Sequence, residues 1–247
     1  MILALAFAAS LIPSVALYLW LKKQNKAELE YPGTCRKALI YGFLSALPVL
    51  LLGTVAVLFE ALVLDLKGQI ARDLYRTFVL YALTEELAKF YFFRKLLIRC
   101  PFMFSWRDAT IFMAIIGLGF GLLEDIPYGL STNAGQMLVR GVTIAHGGLG
   151  FIMGYFCGKA MTTGKRRWYA VGFLLPYLLH GLYDFSLSDA AELVGDWTIF
   201  TAVTLAALDV VLIVLFIRFV RRSKTKEKYL TPVLGGQAPP LPEVENV

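Results

Sequence analysis

Apolar runs about as long as a bilayer is thick alternate with short polar connections along this chain. A hydrocarbon core takes about 20 apolar helical residues to cross. Seven stretches meet that length: Ile2 to Leu21, Ala38 to Phe59, Leu74 to Phe93, Ala109 to Leu130, Met137 to Gly158, Trp168 to Leu187 and Trp197 to Ile217. The first carries no charge and lacks a cationic start, which predicts an N-terminal anchor rather than a cleaved signal. The pattern predicts an all-α fold, a polytopic transmembrane helical bundle of about seven spans. Residues 1–230 form that membrane domain. Residues 231–247, with four prolines and few large apolar groups, are expected to be a disordered tail.

The connections orient the bundle. Between the first and second runs stand Lys22, Lys23, Lys26, Arg36 and Lys37; between the third and fourth, Arg94, Lys95, Arg99 and Arg107. Lys159, Lys165, Arg166 and Arg167 follow the fifth run, and a basic cluster from Arg218 follows the seventh. The intervening connections are poor in Lys and Arg. The positive-inside rule then puts the N-terminus outside and the C-terminus in the cytoplasm of a multi-pass cell-membrane protein.

Composition agrees: 58% of the 247 residues are hydrophobic and only 17% charged, with a mean hydropathy of +0.66. The net charge of +6 is accounted for by the ends of apolar runs, so it argues for a lipid bilayer as partner and against nucleic acid. Cys35, Cys100 and Cys157 share no metal-type spacing and read as free thiols.

The third to sixth runs carry the chemistry. They hold Glu85, Glu86 and Lys89; Glu124 and Asp125; Arg140 and His146; and His180 and Asp184. A charge at the bilayer centre costs about 2.5–3.5 kcal/mol even on lenient scales. These side chains are therefore expected to converge on the bundle interior or a water-filled cavity. Spacing supports that: Glu85 and Lys89 share a helix face, as do His180 and Asp184, and Phe120 and Glu124. Each piece has a plainer reading: a salt-bridged turn for Glu85 and Lys89, one structural hydrogen bond for His180 and Asp184, an interior histidine for His146. Arg140 has one too, snorkelling to the interface. Asp209 reads as hydrogen-bonded structure, or as a partner of Arg140 or Arg76. The glycines of Gly117-Leu118-Gly119-Phe120-Gly121 and Gly147-Gly148-Leu149-Gly150 are expected to serve helix packing.

The ordered set Glu85-Glu86-x-x-Lys89, Gly119-Phe120-Gly121-x-x-Glu124, Arg140 with His146, and His180-Gly181-x-x-Asp184 resembles the PrsW family of intramembrane proteases, relatives of the CAAX-processing membrane proteases. One position departs: Asp125 stands where such sequences often have Asn. The resemblance implies hydrolysis of a peptide bond in a single-pass membrane protein such as an anti-sigma factor. It implies catalytic Glu85, Glu86, Glu124 and His180, with Lys89, Asp184, His146, Arg140 and Asp125 in support. No serine or cysteine nucleophile stands in the set, so water is expected to attack directly. Glu85 and Glu124 would activate it as a carboxylate pair, and His180 with Asp184 would face the oxyanion. No cofactor is favoured, although zinc held by Glu124, His146 and His180 is a second route. The same groups would also suit a proton-coupled transporter or ion pathway.

Overall fold

The computed structural model describes residues 2–25, 28, 32–99, 106–131, 145–194 and 197–222. Every regular element among them is helical. In chain order they are α1 (Ile2–Gln24), α2 (Thr34–Leu62), α3 (Gln69–Tyr75), a π-helical segment (Arg76–Leu83), α4 (Thr84–Arg99), α5 (Trp106–Ser131), α6 (Ala145–Thr163), α7 (Arg167–Ser186), α8 (Asp189–Val194) and α9 (Trp197–Arg222). The third apolar run is thus α3, the π-helical segment and α4 in succession. The fifth is described from Ala145 onward, as α6. Arg140, Cys100 and the 231–247 tail lie outside the described residues. Helices α1, α2 and α7 run through Pro13, Pro48 and Pro176, as helices in lipid do when neighbours satisfy the freed carbonyls.

Helix α5 is the axis of the bundle. It is buried on every side from Asp108 to Phe120, the signature of a helix apolar all round. Glycines let its neighbours reach the backbone. A Cβ on Gly42 of α2 would lie 2.2 Å from the Ile116 carbonyl oxygen, and one on Gly119 would lie 2.3 Å from that of Leu39. On the other flank, Gly150, Gly154 and Gly158 of α6 press against the backbone of Met113, Ala109 and Trp106. This four-residue spacing of small residues is a known device of close helix contact in membranes. Gly117 and Gly119 serve packing as expected; the stripe along α6 extends it.

The outer surface is apolar. On α2, Leu47, Leu51, Val55, Leu58 and Leu62 form an exposed stripe, and α1 and α9 add Leu5, Ile12, Leu19, Ile199, Val203 and Val210. Among the described residues, two helices are long and apolar enough to cross a membrane, Thr34–Leu62 with mean hydropathy 2.3 and Trp106–Ile126 with 1.8. Surface of this kind suits hydrocarbon, not water.

Glu28 closes the connection between α1 and α2. Its carboxylate accepts from the N–H of Gly33 (3.0 Å) and Cys35 (2.7 Å) at the start of α2, with Lys22 Nζ at 3.6 Å. Gly33 supports this turn at φ 94°, a left-handed conformation that suits glycine. Burial pushes the Glu28 carboxyl up, but the two backbone donors and Lys22 outweigh it and hold the group below its ordinary range. A lowered folded-state pKa means the stabilisation is present above the unfolded value of about 4.3 and is lost as pH falls below it. Glu28→Gln is therefore expected to cost about 1–2 kcal/mol at pH 7. Thermal unfolding of both proteins between pH 7 and 3 checks this, because the difference should shrink on acidification.

Candidate active site

The polar groups of four helices meet in a cavity of about 660 Å³ lined by Glu85, Glu124, Asp125, His146, His180 and Asp184, and also by Ser14, Asp73, Arg76 and Tyr81. The π-helical segment leads directly into Thr84-Glu85-Glu86. Its wider turn re-aims the side chains that follow it, a frequent feature of functional sites. Thr84 steadies the junction by donating to the Leu80 carbonyl at 2.6 Å.

Glu86, fully buried, anchors one side. Its Oε1 accepts from Lys89 Nζ at 2.7 Å and from His180 Nδ1 at 2.9 Å. With Nδ1 donating to a carboxylate, His180 turns Nε2 toward Glu85 Oε2 (3.7 Å) and Asp184 Oδ2 (3.4 Å). His146 is held in the same fashion. Lys89 Nζ, which has only protons to give, lies 3.0 Å from His146 Nδ1, so Nε2 carries the ring proton and donates to Glu124 Oε2 at 2.5 Å. Phe120 meets the His146 ring edge-on at 5.0 Å between centroids and offers its face to Lys89 Nζ at 4.2 Å.

Helical spacing puts both Glu85 and Glu86 within reach of Lys89; Glu86 is the closer, at 2.7 Å, and Glu85 Oε2 stands at 3.6 Å. Between Glu85 and Glu124 the His146 imidazole makes contact with both, at 4.0 Å from Glu85 Oε2 through Nδ1 and with Glu124 through Nε2. Asp125 lines the same cavity. Arg140 lies outside the described residues, and so does the side chain of Asp209. Arg76, suggested as a partner of Asp209, pairs with Glu60 of α2 at 3.1 Å. Two features had no sequence signal: the π-helical turn, and Asp73, which accepts from Gln69 Nε2 (2.9 Å) and from the backbone N–H of Ala190 (3.1 Å), tying α3 to α8.

The donor chemistry fits a divalent metal. One atom each from Glu85, His146 and His180 lies within 4.8 Å of the others. Two imidazoles and a carboxylate are a common catalytic zinc set, and each imidazole has its remote nitrogen on a carboxylate, the arrangement that orients metal-binding histidines. Glu85 Oε2 is buried and accepts no hydrogen bond among the described residues. This donor set differs from the one read in sequence: Glu124 supports His146, and Glu85 supplies the carboxylate.

Buried carboxylates and imidazoles thus share one centre inside an apolar helical bundle, the arrangement of a membrane protein with a polar interior site. A family model described as "PrsW family intramembrane metalloprotease" matches residues 33–220. "Protease PrsW" of Geobacillus kaustophilus is 29% identical over 184 residues, 73% of this chain and 78% of that protein. "Protease PrsW" of Halalkalibacterium halodurans is 31% identical over 186 residues, 71% of this chain and 80% of that protein. "Protease PrsW" of Bacillus subtilis is 34% identical over 86 residues, 33% of this chain and 39% of that protein. No solved structure matches. The chain belongs to the PrsW family and is a protease and a membrane protein.

Proposed function

We propose that the chain is an intramembrane endopeptidase of the cell membrane, with seven spans, an outside N-terminus and a cytoplasmic C-terminus. Residues 1–230 are its protease domain. Its substrate is a single-pass membrane protein of the anti-sigma-factor kind, cut near the outer face. The observation that carries this reading is the convergence of Glu85, His146 and His180 within 4.8 Å in an otherwise apolar bundle.

Glu85, His146 Nδ1 and His180 Nε2 would hold a divalent metal. When bound, such an ion polarises the scissile carbonyl and makes its water a nucleophile near neutral pH. The chain's own residues do the rest. Glu86 and Glu124 fix the two imidazoles, and Asp184 limits the swing of His180. The apolar helices exclude bulk water, which strengthens each of these interactions.

A second reading is favoured by one contact, the amine of Lys89 at 3.0 Å from His146 Nδ1. Here Glu85 itself takes a proton from water as the oxygen attacks the carbonyl carbon. It returns that proton to the nitrogen as the C–N bond breaks, while His180 faces the oxyanion.

The test is cleavage of a panel of single-pass membrane proteins by the purified enzyme in detergent, before and after chelation. Loss of cleavage on chelation, restored by added zinc, is the expected result. Cleavage indifferent to the chelator selects the glutamate route. A folded enzyme that cuts nothing on a broad panel sinks the substrate proposal.

A further inference from the structure

Lys89 is among the most deeply buried large side chains of the protein, and its position bears on metal binding. Its Nζ lies 2.7 Å from Glu86 Oε1, 3.0 Å from His146 Nδ1 and 3.6 Å from Glu85 Oε2. Two of these three atoms are donor atoms of the candidate metal set. An ammonium group can only donate, so it occupies the Nδ1 lone pair of His146. A metal ion uses that same lone pair and repels the same positive charge.

We propose that Lys89 is a tethered counter-cation that competes with a divalent metal ion for His146 Nδ1 and Glu85 Oε2, and so sets how tightly the centre holds metal. The proposal rests on the metal reading above. The structure supplies a second berth for the amine. Glu86 Oε1 is its closest partner, and the face of Phe120 lies 4.2 Å away, so Lys89 keeps a carboxylate and a π-face when Nδ1 is released. Phe120 also touches the His146 ring, so one side chain borders both contestants. Lys89 is an affinity-setting residue on this account, not a catalytic one.

Zinc titration of the full-length protein in detergent tests the idea, with bound metal counted by elemental analysis and affinity taken from competition with a chromogenic chelator. Lys89→Met keeps the bulk and removes the charge. Lys89→Gln removes the charge, keeps a neutral donor for Glu86 Oε1, leaves Glu86 on His180 Nδ1, and guards against misfolding of the Met variant. Thermal unfolding reports that each is folded. Wild type is expected to bind one zinc, and the folded variants to bind it at least about tenfold more tightly, the scale on which groups around metal ligands act. Equal or weaker zinc affinity in the folded variants overturns the competition and leaves the metal reading standing. No zinc bound by wild type or by either folded variant overturns both.

Discussion

Glu85→Gln is expected to lower cleavage of a single-pass substrate by about 10²–10⁴-fold while leaving the protein folded. The side chain is buried, its Oε2 accepts no hydrogen bond among the described residues, and it faces both His180 Nε2 and His146 Nδ1. The change keeps the shape and removes a charge that burial opposes, so thermal stability should hold or rise. Both routes predict the loss, since the carboxylate is a metal ligand in one and the base in the other. Glu86→Gln is the contrast. Glu86 bonds Lys89 and His180 together, and removing one partner of a buried pair costs about 3–5 kcal/mol. Its variant should therefore lose stability as well as activity. Measured kcat/KM beside the melting temperature separates the two. A Glu85→Gln protein that cuts at the wild-type rate removes Glu85 from the chemistry.

Gly117→Ala is expected to damage both stability and cleavage. A Cβ at this position would stand 2.0 Å from the His146 carbonyl oxygen and 2.7 Å from its carbonyl carbon. These are backbone atoms, so α5 and α6 must separate. Overpacking of this kind costs about 1–3 kcal/mol, sometimes more. The displaced residue is His146, so the loss reaches the site, where an error of about 1 Å costs on the order of 10²-fold. Gly53→Ala is the control. Its Cβ would meet only Leu80 Cδ1 at 3.7 Å, an ordinary contact, and alanine favours helix by about 1 kcal/mol. A Gly117→Ala protein as stable and active as the Gly53→Ala protein sinks the close-approach account.

The residue types and order in the candidate site were legible because lipid leaves them little choice. Glu85, Glu124, His146 and His180 sit in apolar runs, where each charged group facing hydrocarbon is costly, and the structure brings all four to one cavity. Their pairings were not legible. Helical spacing links Glu85 to Lys89 and says equally little against Glu86. Which carboxylate meets which imidazole depends on how α4, α5, α6 and α7 turn about their axes, and no local pattern encodes that. Glu124 shows the cost: its hydrogen bond to the far nitrogen of His146 had no signal in helical spacing.

By itself, the sequence determined a helical chain with apolar runs long enough for a bilayer, basic and non-basic connections in alternation, and ionisable groups confined to its central runs. Those follow from hydrophobicity and charge, which are properties of residues. The tertiary structure decided the π-helical turn before Glu85, the depth to which glycines let α2 and α6 approach α5, and the place of Lys89 between Glu86 and His146 Nδ1. Those depend on which backbones touch and at what rotation, and packing between distant segments alone sets that.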